Sequence, residues 1–321
     1  MIFFFLPEEH FPDAHWREAL KKKEVFSLEE NGKKATLHYW IYQTWALLTE
    51  AAIPCQLVHQ IPQEGIVIAL SGSLHSLLHT ASLFLVDIVA DGLPHPSAQL
   101  HLLQNKAHAQ RLPRSLFIPH WPQPGLIPRD SVRGNRFEKI CFFGDSNNLA
   151  PELCSEKWKH QLSCELGLLL ECRGASFWHD YHDTDCVLAI RDFSRSRQLH
   201  KPSTKLYNAW LAGVPFIGGR DSSYAADGHP DKDYLVATSP DQVLDHLRRL
   251  KEDHDFRQNL ITQGTLSGAT FTREATLERW KQLIQETIPQ LAKNWFSLSP
   301  RKRRYFSLTQ HAVCFLDQHL R

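Results

Sequence analysis

Short runs of branched and aromatic apolar residues, each closed by a turn signal, constrain this chain more than any other feature. Ile2–Leu6, Ile66–Leu70, Leu83–Val89, Ile140–Gly144, Cys186–Ile190 and Val214–Ile217 show little polar alternation. Strands of that kind are covered on both faces, as in parallel sheets flanked by helices. Further strands are expected at Cys55–His59, Gln99–Leu103, Leu116–Ile118, Leu168–Cys172 and Tyr234–Val236. Between them lie stretches of helical period: 13–24, Thr36–Ala52 with Leu37, Trp40, Ile41, Trp45 and Leu48 on one side, Ser73–His79, 106–111, Leu153–Leu166, Asp241–Lys251, Asp255–Gln263 and Arg273–Ile288, where Pro289 is expected to break the helix. Alternating strands and helices in both halves predict an α/β chain with two doubly wound parallel sheets.

The two halves are separated by PHWPQPGLIPRD. Its prolines at 119, 122, 124 and 128 forbid regular helix and disfavour a central strand, so an extended crossing is expected there. A length of 321 residues suits two domains, each burying its own core. The expected division is 1–130 as an N-terminal α/β domain, 131–290 as a second α/β domain, and 291–321 as a helical tail packing back on the first.

Net charge decides against one class of partner. At +1 the chain has no overall pull toward polyanions, so nucleic acid is not indicated. Seven cysteines form no C-x-x-C pair and their odd count argues against a full disulfide framework, which suits buried thiols in a reducing, cytoplasmic setting. The histidines are scattered, and no metal site is expected among them. MIFFFLPEEH has neither a basic leader nor an apolar run long enough to span a bilayer, and reads as a first strand. Arg301, Lys302, Arg303 and Arg304 form a basic cluster for which solvation, interdomain packing or weak contact with an inner membrane face are all open.

The stretch HKPSTKLYNAWLAGVPFIGG, His200–Gly219, carries the most chemistry. Ser203 and Thr204 suit a helix start, Leu206, Trp210 and Leu211 keep helical spacing, and Gly213 can close the helix before an apolar strand. A helix start flanked by Lys201 and Lys205 gathers unpaired N–H groups, the positive end of the helix dipole, hydroxyls and ammonium groups, as a phosphate or diphosphate site requires. The same residues would also make a capped surface helix with solvated lysines. Arg191, at the end of the preceding strand, can pair with a diphosphate in bidentate fashion or form an ion pair with Asp180 or Asp192. Gly144, closing strand 140–144, would let backbone approach a phosphate or simply make a turn. Ser71-Gly72-Ser73 offers a weaker anion signal of the same type. The polar run 221–233 is expected to be a loop able to cover a ligand.

Asp185, CVLAI, the loop 191–204 and NAWLAGVPFIGG together resemble the donor-binding half of GT-B glycosyltransferases, GT4-like and fucosyltransferase-like members in particular. Many GT-B enzymes carry two glutamates eight positions apart, where this chain has His200 and Asn208. The wording T-K-L-x-N-A is closer to fucosyltransferase-type relatives, in which a lysine at the helix start binds the diphosphate, and Lys205 takes that role here. The resemblance implies two facing Rossmann-like domains and transfer of a sugar from a nucleotide-diphosphate donor to a hydroxyl acceptor such as a glycan, with no separate cofactor. Arg191, Lys201, Lys205, Gly144, Ser203 and Thr204 would stabilise the leaving diphosphate without a metal, and Asn208 would bind a ribose hydroxyl. An inverting reaction needs a base from the first domain, for which Asp91 and then His120 are the candidates. The missing glutamates keep a non-catalytic nucleotide-sugar-binding or scaffold protein, and an epimerase or hydrolase on the same fold, as alternatives.

Overall fold

The structure is a computed structural model and describes residues 1–11, 36–74, 82–194 and 196–320. The expected helix 13–24 with Lys21–Lys23, and most of the one at Ser73–His79, lie outside the described residues.

The first sheet has six parallel strands: β1 (Ile2–Phe5), β2 (Gln56–Val58), β3 (Gly65–Leu70), β4 (Leu83–Ile88), β5 (Leu100–Leu103) and β6 (Ser115–Phe117), in spatial order β2-β1-β3-β4-β5-β6. The second has five, also parallel: β7 (Lys139–Phe143), β8 (Leu169–Arg173), β9 (Cys186–Ala189), β10 (Phe216–Gly218) and β11 (Leu235–Val236), in order β11-β10-β9-β7-β8. Their lack of polar alternation has the expected cause: β4 and β5 are buried at every position. In the second sheet the order reverses between β7 and β9. The connections leaving those strands go to opposite faces and open a crevice at their C-terminal ends.

Among the described residues, the helices that position the site and its supports include α1 (Gln43–Glu50), α2 (Lys106–Ala109), α3 (Glu156–Leu166), α4 (Thr204–Leu211), α5 (Ser222–Asp227), α6 (Pro240–Glu252), α7 (His254–Gly268), α8 (Arg273–Gln282) and α9 (Ile288–Phe296). The last, α10 (Pro300–Leu320), closes the described chain. The stripe expected over Thr36–Ala52 packs as drawn, with Leu37, Trp40, Ile41 and Leu48 in the first core, although His38–Tyr42 is wound as a π-helix leading into α1.

Three local expectations are corrected. The helix expected over Leu153–Leu166 is broken at Ser155, whose extended backbone caps α3 through Oγ accepting from Trp158 N at 3.3 Å. Pro289 does not end its helix. Leu283–Thr287 is a π-helical turn in which Ile288 N–H reaches Leu283 O, so α9 starts afresh with Pro289 in its first turn, where a missing N–H is harmless. The run 221–233 is not all loop, because Ser222–Asp227 forms α5.

The first core also takes Trp280, Leu283, Ile284, Ile288, Ala292 and Trp295, so the chain crosses back to the first sheet within α8, before residue 290. Trp295 Nε1 donates to Leu83 O at 2.9 Å. α10 continues along the same domain: Asp317 Oδ1 pairs with His108 Nε2 at 2.7 Å, and Arg114 donates to Gln310 Oε1 at 2.8 Å while stacking 4.2 Å from the Phe306 ring centroid. No described helix is long and apolar enough to cross a membrane.

Candidate active site

The C-terminal ends of both sheets face one cavity of about 480 Å³. The first domain contributes Tyr39, Trp40, Ala90, Asp91, Gln104 and His120, and the second contributes Phe143, Gly144, Trp178, Tyr181, Arg191, Lys201, Thr204, Lys205 and Asn208. Of the nine residues expected from sequence, eight line it. Ser203 does not.

The second-domain wall is built by the reversal between β7 and β9. Gly144 follows β7, Arg191 stands just beyond β9, and α4 begins beside them. α4 closes as expected, with Gly213 at φ +70°, a conformation suited to glycine. Its start is not capped by a side chain. Ser203, 1% exposed, turns its hydroxyl away to Asp227 Oδ2 at 2.5 Å, which removes that hydroxyl from the site. Leu206 and Tyr207 N–H groups return to Ser203 O, whereas those of Thr204 and Lys205 have no protein acceptor among the described residues. This leaves an anion-seeking helix end open to the cavity.

Three cations surround that end in different states. Lys201 Nζ is taken by Asp91 Oδ2 across the cleft at 3.0 Å. Arg191 pairs through Nε with Asp221 Oδ2 at 3.3 Å, a partner not foreseen in place of Asp180 or Asp192. That contact leaves its terminal nitrogens with no protein partner among the described residues. Lys205 Nζ has no acidic partner among the described residues and lies 5.4 Å from the Phe142 ring centroid. Burial, followed by the charge of Arg191, pushes the Lys205 pKa down to about 7, with Asp221 drawing it the other way. A desolvated, unpaired ammonium of this kind is stabilised by an arriving anion. Gly144 acts differently from expectation. Its N–H is committed to Arg173 O at 2.9 Å, so it does not donate into the cavity. What it supplies is room, since a Cβ there would stand 3.0 Å from the Phe142 ring and 3.5 Å from Lys205 Cε.

On the first-domain wall, His120 sits against Trp40, ring centroids 5.0 Å apart and near perpendicular. Its Nδ1 is 2.7 Å from Trp121 O. A carbonyl only accepts, so Nδ1 carries the proton and Nε2 keeps its lone pair. Burial holds the ring's pKa below the usual imidazole range, against the pull of the Trp121 carbonyl and Asp91. A neutral imidazole with a fixed tautomer is the state a general base needs. Asp91, the first-ranked candidate from sequence, has one oxygen accepting from Gln104 Nε2 at 2.8 Å and the other from Lys201. Both oxygens are therefore engaged in joining the lobes.

Several functional contacts escaped sequence reasoning. Tyr207, read only as a helix residue, donates its hydroxyl to His120 O at 2.8 Å and ties His120 to the helix that carries Lys205. Gln104 Nε2 donates to His200 O at 2.9 Å, and Asn105 Nδ2 to Lys201 O at 3.1 Å and Ser222 Oγ at 2.9 Å, clasping the lobes together. The only available signal was a pair of amides just after a strand. Asn208 is 4% exposed with Oδ1 accepting from Gln123 N at 3.1 Å, so its carbonyl anchors the interdomain crossing. Tyr181 stacks on Phe143 at 4.0 Å between centroids, giving the cavity an aromatic floor.

Three motif residues lie elsewhere. Asp185 is at the N-terminal end of β9, away from the cavity, where it binds Arg129 and Arg133 and accepts from Glu138 N and Lys139 N. Ser71 and Ser73 spend their hydroxyls on Leu93 O and Leu70 O, so the S-G-S turn holds its own backbone. Among the described residues, no cluster of His, Cys, Asp and Glu is arranged to hold a metal.

Two facing parallel sheets with a cleft between their C-terminal ends define the GT-B architecture. Residues 138–285 match a family model described as "Glycosyl transferase-like". Among solved structures, sucrose-phosphate synthase from Thermosynechococcus elongatus aligns with TM-score 0.55 at 10% identity, over 90% of this chain and 99% of its own. HepE of Anabaena, solved with UDP and glucose, aligns with TM-score 0.51 at 13% identity, over 90% and 99%. A glycosyltransferase involved in avilamycin A biosynthesis aligns with TM-score 0.50 at 13% identity, over 89% and 98%. No curated protein sequence matches the chain.

Proposed function

We propose that this chain is a glycosyltransferase that moves a sugar from a nucleoside-diphosphate donor to a hydroxyl acceptor. The observation that carries the reading is a Lys205 without an acidic partner and a half-paired Arg191 at an open helix start, facing a His120 whose Nε2 has no partner among the described residues. The diphosphate seats on Lys205, the outer nitrogens of Arg191 and the N–H groups of Thr204 and Lys205. These groups take up the charge that grows as the bond from the sugar's anomeric carbon to the phosphate oxygen breaks. His120 Nε2 accepts the proton of the acceptor hydroxyl as its oxygen bonds to the anomeric carbon, so the sugar's configuration is inverted. Positive groups supply the charge stabilisation, and transfer proceeds without a metal. The match over 138–285, where every diphosphate contact lies, and a neighbour holding UDP support this assignment.

A panel of nucleotide sugars with and without hydroxyl acceptors tests it, in the presence and absence of a chelator. Nucleotide release that depends on acceptor and survives chelation is expected, with the product anomer opposite to the donor by NMR. Turnover without acceptor would assign a hydrolase or epimerase instead, and donor binding without turnover a nucleotide-sugar-binding protein. Retained configuration would remove His120 from the role of base.

A further inference from the structure

Serine is among the best helix-capping residues, because its hydroxyl accepts from an N–H of the first turn when its own backbone is extended. Ser155 and Ser239 do this. Ser155, at φ −66° and ψ 140°, caps α3 by accepting from Trp158 N, and Ser239, at φ −153° and ψ 159°, caps α6 by accepting from Gln242 N at 3.2 Å. Ser203 stands in the same place before α4, yet its backbone is at φ −85° and ψ 20° and its hydroxyl donates to Asp227 Oδ2 without capping. Donation alone does not prevent a cap, since Ser155 also donates, to Glu152 O at 2.7 Å. At Ser203 it is the place of the acceptor that matters: Asp227 draws the hydroxyl off the helix start.

That carboxylate is poorly placed on two counts. It ends α5, at the negative end of the helix dipole, and burial pushes its pKa up to about 6, with the Ser203 hydroxyl and then the charges of Lys106 and Arg279 drawing it back. Its position is fixed from the other end of α5, where Ser222 N donates to Arg197 O at 2.9 Å and Ser222 Oγ accepts from Asn105 Nδ2 of the first domain at 2.9 Å. Taking the start of α4 as the seat of the diphosphate, as proposed above, we infer that Asp227 is a positioning residue for the donor: it holds the Ser203 hydroxyl away, so that the N–H groups of Thr204 and Lys205 stay open. Asp227 does not line the cavity and acts through Ser203. Without the carboxylate, Ser203 is free to adopt an extended backbone and accept from the first turn, as Ser155 and Ser239 do. Its oxygen then sits over the N–H groups where a phosphate oxygen has to go, and the two compete.

Calorimetric titration of the full chain with UDP, ADP and GDP tests this as a double-variant cycle. Asp227→Ala should weaken nucleotide binding about fivefold, the strength of a typical N-cap bond, while Ser203→Ala stays within about twofold of the parent and the double variant returns to the parent value. Asp227→Asn, whose carbonyl still accepts from the hydroxyl, should also bind like the parent. Asp227→Leu fills the space without an acceptor and should repeat the alanine result, which keeps the test open if Asp227→Ala melts too low to titrate. A double variant as weak as Asp227→Ala would make the loss a general loosening of α4 and overturn the inference. So would parent-like binding by Asp227→Leu and Asp227→Ala, or tighter binding by Asp227→Ala and Asp227→Asn alike, which would assign the carboxylate to repulsion of the diphosphate. A diphosphate seat at α4 fails on different results, and takes the role of Asp227 with it: no nucleoside diphosphate bound by the parent, or binding unchanged by Lys205→Ala.

Discussion

At Lys205 folding removes water from an ammonium group and sets Arg191 beside it, and the lowered pKa of about 7 records both. The unfolded chain then holds this proton more tightly than the folded one, so in the empty protein this residue adds stability as pH rises from about 7 toward the ordinary lysine range. A bound diphosphate reverses the preference. Donor binding should take up protons near neutral pH, seen as buffer-dependent heats in calorimetry, and weaken as pH rises. Replacing Lys205 by Ala should cost donor affinity about tenfold or more, as loss of a charge-assisted contact of about 1.5–3 kcal/mol would. At His120 the opposite limb is set. Its pKa is also lowered, by burial, so kcat/KM should rise with pH through that depressed value and fall again as Lys205 deprotonates. His120→Gln should lower kcat by about 10²–10⁴-fold with little change in donor affinity. If Asp91→Asn produced that kcat loss instead, the base would be reassigned to the carboxylate.

The element that matters most is α4, and α7 locks it in place. Trp210 Nε1 donates to Asp233 O at 2.8 Å, while Gly264 and Gly268 of α7 let the indole lie against bare backbone. A Cβ at Gly264 would fall 2.4 Å from Trp210 Cδ1. Gly264→Ala should therefore destabilise the protein by about 1–3 kcal/mol in denaturant titration and loosen donor binding through α4. Much of this level was legible beforehand, because strands buried on both faces and capped amphipathic helices follow from local pattern. What failed was local bookkeeping of backbone groups. Ser155 could continue a helix or cap one, and only the fold shows which. Pro289 reads as a stop until a π-turn upstream shifts the hydrogen bonds by one residue. In the site, the cations were visible as residue types, but their partners were not. Arg191 meets Asp221 and Lys201 meets Asp91 through contacts 30 and 110 residues apart in sequence, which no spacing rule encodes.

Across the whole molecule, charge clusters and side-chain clasps join the parts. Asp185 gathers Arg129 and Arg133 from the segment following the prolines, and Asp183 binds Lys139 at 2.5 Å and Arg173. Burial works against both carboxylates, yet these partners hold their pKa values below the ordinary range. Their stabilisation is thus complete above about pH 4 and lost as pH falls through the depressed values. Asp185→Ala, which strands two arginines, should cost about 3–5 kcal/mol at neutral pH and flatten the acid limb of a stability–pH curve. The two-lobed plan could be read from the prolines and the alternating elements. The return of the chain within α8 could not, since nothing in the sequence around Trp280 marks which sheet it will cover.

The hydroxyl of Tyr207 reaches over to the His120 carbonyl, and so the lobe bearing the proposed proton acceptor is gauged against the helix bearing Lys205. Together with the clasps made by Gln104, Asn105 and Lys201, this strut holds the two walls of the cavity at a fixed spacing. Loops on either rim can be exchanged to suit a different sugar or acceptor while that strut keeps the chemistry in register, and Tyr207→Phe would uncouple the two without touching a substrate.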